Sequence, residues 1–169
     1  MSTLSEDKKK PDDREELARS WDWHIRRKLA WSSEASEKIL EKLSRDRSQW
    51  VREAVAGNAS TPAAVLARLA EDSSGFVRAA VALNGRVSAG ILDLLAGDEM
   101  TDYDSILQKN RYLVKEAAAK SPHIDPATLD FLARDSDEHV RAAAASNPLL
   151  PLVAMSRMAK DVFWEVRNN

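Results

Sequence analysis

The sequence predicts an all-α solenoid, and three observations carry that prediction. The pattern V-R-x-A-V-A-x-N recurs at a fixed interval, as "VREAVAGN" at 51–58, "VRAAVALN" at 77–84 and "VRAAAASN" at 140–147. Each copy is followed by two large aliphatic residues three positions apart, one turn along a single helical face. β-Branched residues stand singly and never alternate, so no strand pattern competes. A fixed period of about 20–50 residues marks a stacked array.

The repeat can be followed column by column. The first column is Ile25, Val51, Val77, Val114, Val140 and Val166, at intervals of 26 except for 37 between Val77 and Val114. Arg26, Arg52, Arg78, Lys115, Arg141 and Arg167 come next. Ala30, Ala56, Ala82, Ala119 and Ala145 are small and let neighbouring units approach closely. Ser32, Asn58, Asn84, Ser121 and Asn147 end the first helix, and asparagine tolerates the left-handed backbone of a helix C-terminus.

The second helix begins behind Ser36, Thr61, Ser88 or Asp125, read as N-caps, with Pro62 and Pro126 in the first turn where proline is tolerated. Its apolar face is Leu40, Leu66, Leu92, Leu129 and Met155, then Leu43, Leu69, Leu95, Leu132 and Met158. Asp46, Asp72, Asp98, Asp135 and Asp161 close the units. "LARSWDWHI" matches "LARDSDEHV" at the same offset, so a half-copy precedes Ile25. The expected architecture is about five 26-residue two-helix repeats with half-repeats at both ends, one domain over 14–169. A flexible charged tail at 1–13 precedes it, and an insertion near 99–113 interrupts it.

Composition narrows the function classes. A chain of 169 residues suits one domain, and 44% hydrophobic with 31% charged residues is ordinary for a globular protein. The net charge of −2 gives no support to nucleic-acid binding from total charge. The absence of cysteine excludes disulfides, thiolate nucleophiles and cysteine-held metal within these residues. No apolar run approaches the roughly 18 residues that span a bilayer, and "MSTLSEDKKKPDD" lacks the apolar region of a signal peptide. The expectation is a cytoplasmic protein without membrane contact.

With those columns in place, V-R-x-A-V-A-x-N followed by T-P-x-x-x-L-x-x-L-A-x-D resembles the leucine-rich repeat variant (LRV) family, and more loosely the HEAT-like solenoids. The resemblance spans about residues 14–169 and is weakest in the first copy, where Lys28, Trp31 and Ser32 replace the usual residues. It implies a right-handed helical superhelix. Part of the family carries an iron–sulfur module held by cysteines, for which these residues offer no ligand.

The residues give no catalytic set. His24 and His139 share a mostly bulky column with Trp50, Phe76, Leu113 and Glu165, expected to pack between units. No H-x-x-x-H, G-x-S-x-G or G-x-G-x-x-G occurs. No cofactor or metal is expected. An aspartate lies six residues before four of the repeat arginines, in Asp46–Arg52, Asp72–Arg78, Asp135–Arg141 and Asp161–Arg167. With Asp98 and Lys115, these residues read as a ladder of ion pairs and carbonyl contacts tying adjacent units.

Trp23 and Trp31 fall in variable columns and either cap the first unit or meet a partner, whereas Trp50 is expected in the core. Tyr112 shares the Trp23 column, and Tyr103 sits in the insertion, which is either a tolerated loop or part of a binding face. Phe163 and Trp164 either fold back on Met155 and Met158 or stay open for a partner or a second copy. The function these features imply is a non-catalytic protein-binding repeat module. The runner-up is nucleic-acid binding on a basic strip of Arg26, Arg27, Arg52, Arg78, Lys115 and Arg141.

Overall fold

A computed structural model describes residues 13–104 and 109–168, with the side chains of 102–110 and of residue 164 outside that description. Helix α1 (Asp13–Leu17) leads in. First helices α2 (Trp23–Trp31), α4 (Gln49–Gly57), α6 (Gly75–Ala82), α8 (Leu113–Lys120), α10 (Glu138–Ala145) and α12 (Trp164–Asn168) then alternate with a second series. That series is α3 (Glu37–Leu43), α5 (Ala63–Leu69), α7 (Ala89–Ala96), α9 (Pro126–Leu132) and α11 (Leu152–Met158). The all-α solenoid of two-helix repeats follows the sequence columns. One feature departs from them: the insertion forms a short antiparallel hairpin, β1 (Asp102–Asp104) with β2 (Lys109–Arg111), where no strand was expected.

The caps explain where the second helices start. Ser36 accepts from the Ile39 N–H, and Asp125 accepts from the Ala127 N–H ahead of Pro126. Ser88 holds the N-cap position of α7 without a side-chain cap bond. Thr61 is not a cap. Pro62 takes that position, and the fully buried Thr61 hydroxyl donates to Val55 O at 2.6 Å, fixing α5 against the end of α4.

The aliphatic columns make a continuous core. Leu40, Leu66, Leu92 and Leu129 are wholly buried, each stabilising the fold by about 1.5–3 kcal/mol through removal from water. The column fails at the last unit, where Met155 is exposed while Met158 stays buried. First helices pack directly on one another in the order α2, α4, α6, α8, α10, α12. Second helices mostly touch the first layer instead. Closer spacing in the first layer than in the second bends a stacked array toward the first layer, which puts the open face of the first helices on the concave side.

Two kinds of joint link the units. The Asn58 side-chain amide donates to Ala30 O at 2.7 Å and Ser32 O at 2.9 Å of the preceding unit, while its oxygen accepts from the Ser60 N–H. Asn84 and Asn147 repeat that pattern one unit and three units later. The left-handed helix end expected of this column is absent at Asn58, whose φ of −74° and ψ of 126° are extended. Its amide, not its backbone tolerance, explains its place.

The second joint corrects the expected pairing. Arg52 gives Nε and Nη2 to the carboxylate of Asp72, at 2.6 and 2.8 Å. Asp46 offers it a main-chain carbonyl alone, which accepts from Nη1 at 2.8 Å beside a longer bond to Arg47 O. Arg78 clasps Asp98 and reaches Asp72 O, and Arg141 clasps Asp161 and reaches Asp135 O. Arg26 likewise clasps Asp46. The carboxylate partner therefore stands twenty residues ahead of each arginine, not six behind it. Each guanidinium closes its own unit and hooks the end of the preceding one.

Beside the insertion the joint changes. The Lys115 ammonium meets Asp135 at 3.1 Å and Glu99 at 2.9 Å, and lies 4.8 Å from the centre of the Tyr112 ring. Ser121 replaces asparagine in the same unit, and its buried hydroxyl has no hydrogen-bond partner among the described residues.

A candidate groove on the concave face

The concave face is set by helical spacing. The bulky column, His24, Trp50, Phe76, Leu113 and His139, projects from the first turn of successive first helices. Residues three, four and seven positions later lie on that same face. On α2 these are Arg27, Lys28 and Trp31; on α6 they are Ala79, Ala80 and Leu83. Trp50 is 40% exposed and packs on Phe76 with ring centres 6.0 Å apart, so it is a surface residue and not the core residue expected. Its column faces the open side of the first layer and does not insert between units.

A groove of about 560 Å³ crosses α4, α6 and α8. Trp31, Phe76 and Leu83 wall it, Gly57, Ala79, Ala80 and Ala117 line it with small side chains, and Glu53, Arg111, Glu116 and Lys120 are its charged members. A second depression over α2 carries His24, Arg27, Lys28 and Ser32 and borders the first at Trp31, which lines both. Arg111 donates Nε to Glu116 at 2.9 Å and closes a second bond to the other carboxylate oxygen. Glu53 differs. Its Oε2 is shielded from solvent and has no hydrogen-bond partner among the described residues. Burial raises the Glu53 carboxyl above its ordinary pKa, against a smaller lowering by the charge of Arg27.

Gly57 shapes the groove. A Cβ there would come within 2.8 Å of the Trp31 ring. Gly57→Ala is therefore expected to swing Trp31 off α4 without unfolding the chain, since the ring is 64% exposed and alanine gains up to about 1 kcal/mol of helix propensity. Trp31 in an otherwise Trp→Phe background reports this by fluorescence; an unchanged spectrum would show that the ring does not rest on Gly57.

The partner candidates read from sequence scatter. Trp31 lies in the groove. Trp23 is half-buried, packs on the core and stacks on His24 at 3.8 Å. Tyr112 is half-buried against the core beneath Lys115. Phe163 meets His139 edge-on at 5.9 Å near the C-terminal end, far in sequence from the groove. The side chains of Tyr103 and Trp164 fall outside the described residues. Sequence reasoning missed Glu53, Phe76 and Leu83 as groove residues. Their signal was the three-four-seven spacing from the bulky column.

The basic strip drawn from the repeat cations is not a surface. Arg26, Arg78 and Lys115 are buried, Arg52 and Arg141 are largely covered, and all five are engaged by aspartates. Of that set only Arg27 is exposed. The aspartate clasps hold the Arg26, Arg52 and Arg141 guanidinium pKa values above their ordinary range, first through the paired hydrogen bonds.

Residues 50–74 match the family model described as leucine rich repeat variant. A solved structure described as a leucine-rich repeat variant with a novel repetitive protein structural motif aligns over 90% of this chain, at 27% identity and a TM-score of 0.64. Residues 50–74 match an LRV repeat, and the fold over most of the chain is similar to that of the solved LRV protein. The chain spans 56% of the length of that solved chain. No curated protein matches it. Among the described residues, no helix is long and apolar enough to cross a membrane.

Proposed function

We propose that this repeat array is a non-catalytic protein-binding module and that its docking surface is the concave groove over α4, α6 and α8. The observation that carries this reading is the pair of exposed apolar side chains, Phe76 and Leu83, flanking the small residues Ala79 and Ala80 on one uncovered face. An apolar notch with a charged rim is the anatomy of a protein interface. A partner's large side chain would fill the notch between Phe76 and Leu83.

Quantitative affinity capture tests the reading. Wild type, Phe76→Glu, Leu83→Glu and Leu94→Glu are used as bait, the last on an exposed residue of a second helix, away from the groove. The expected result is a partner retained by wild type and Leu94→Glu and lost by both groove variants, all four melting as folded proteins. A partner retained equally by all four would place docking elsewhere.

A further inference from the structure

We propose that the groove, together with the depression over α2 that borders it at Trp31, binds an extended, polyproline-like segment of a partner protein. Its acidic, basic and large apolar side chains would stand three residues apart, lying over α2, α4 and α6 in that order. The proposal rests on the docking reading above and adds the chemistry of the occupant.

Charge and shape change from helix to helix along the concave face. On α2 the exposed cations Arg27 and Lys28 stand side by side. They would attract a carboxylate. On α4 the acidic group is Glu53, whose Oε2 is cut off from water and lacks a hydrogen-bond donor. A carboxylate in that position gains most from a cation that brings its own N–H groups. Trp31 and Phe76 line the same groove, so the stem and charge of an arginine or lysine would lie on aromatic surface while its head meets Glu53. On α6 the notch at Ala79 and Ala80 takes the apolar side chain.

Spacing fixes the register. Packed helices lie about 8–10 Å apart. A polyproline II chain rises about 3.1 Å per residue with three residues per turn, so every third side chain advances about 9 Å and points the same way. A β-strand would turn alternate members of this series away from the groove. An occupant reading α2, α4 and α6 in turn is thus a segment of the form acidic-x-x-basic-x-x-apolar, or its reverse in chain direction.

The test uses two acetylated, amidated heptapeptides, Asp-Pro-Pro-Arg-Pro-Pro-Leu and its reverse, with proline holding the conformation. Binding is followed by amide shifts of the groove residues and by Trp31 fluorescence. One chain direction is expected to saturate below about 5 mM. A control with its aspartate and arginine exchanged is expected to bind at least about tenfold more weakly. Glu53→Arg is expected to weaken whichever peptide saturates by about tenfold and to recover binding when its central arginine is replaced by glutamate. Glu53→Gln keeps the side-chain shape and is expected to lose an intermediate amount, which separates charge from misfolding.

Absence of saturation in both chain directions, or equal binding of the exchanged control, overturns the proposal. So does oligothymidylate binding that displaces the peptide and is lost in Arg27→Glu. If Phe76→Glu abolishes capture of the natural partner while Glu53→Arg leaves it unchanged, the docking surface stands and the charge register falls.

Discussion

Asn84→Gly will destabilise the array as severely as Asn84→Ala, by about 2–4 kcal/mol in each case. The Asn84 amide is buried and donates to Ala56 O at 2.6 Å and Asn58 O at 3.0 Å, while its oxygen takes the Arg86 N–H at 2.9 Å. Removing it leaves Ala56 O without that donor, and Asn58 O keeps only the Thr61 N–H. Buried groups stripped of a partner cost about 1–3 kcal/mol each. The glycine variant is the informative one. A residue needed for left-handed backbone would tolerate glycine, whereas a residue needed for its amide would not. Urea midpoints decide between them, and a glycine variant as stable as wild type would show that the backbone, not the side chain, is what the position requires.

Arg78→Ala carries the other large loss, about 3–5 kcal/mol, because it strands a carboxylate in a largely covered place. Arg78 is 4% exposed, and Asp98 meets its Nε at 2.6 Å. A double-mutant cycle should find about 1–3 kcal/mol of coupling between Arg78 and Asp98. The cycle with Asp72→Ala should show weaker coupling, since Arg78 hydrogen-bonds only the main-chain carbonyl of Asp72, which survives that substitution, and feels the Asp72 carboxylate through charge alone. The reverse ranking would overturn the clasp geometry.

Acid acts on the same joints. Burial alone would raise the carboxyl pKa values of Asp46 and Asp72. Their hydrogen bonds from Arg26 and Arg52, and from the N–H groups of Ser48 and Ser74, outweigh it and hold both below the ordinary value. A depressed carboxyl contributes its stability in full above its unfolded pKa and loses it as pH falls through the folded one. The array should therefore keep a constant melting temperature down to about pH 5 and soften progressively below about pH 4. A melting temperature unchanged to pH 2 would remove these carboxylates from the account.

The fold was legible because the period repeats every physical demand: the leucine pair, the alanine, the asparagine and the aspartate each recur in step. Which aspartate an arginine uses was not legible. The offsets of six behind and twenty ahead differ by one full period, so the regular units offer both choices at once. Only the layer packing distinguishes them, and it gives the carboxylate to one and the carbonyl to the other. Trp50 was misjudged for a related reason. A bulky column in a repeat protein suits either an interface between units or an exposed stripe, and a sequence does not say which layer lies inside the curve. Glu53 was hidden further, since its column runs Arg27, Glu53, Ala79, Glu116, Ala142 and Asn168 and mixes both charges with small and polar residues. Such variation across a fixed geometry is what a recognition surface looks like.

The joint beside the insertion is fastened differently from the others. Between the unit of α6 and α7 and that of α8 and α9, the asparagine bond gives way to a Ser121 hydroxyl without a partner among the described residues, and the lysine reaches back to the exposed side chain of Glu99 instead of a carbonyl. The helices themselves close the gap, since α6 and α8 pack together as α4 and α6 do, and Thr128 bonds Asp93 across the second layer. The groove crosses this seam, with Phe76 and Leu83 on one side and Ala117 and Lys120 on the other. A segment lying over α2, α4 and α6 would reach the seam with its apolar side chain, and any residue beyond it would meet α8 on the far bank.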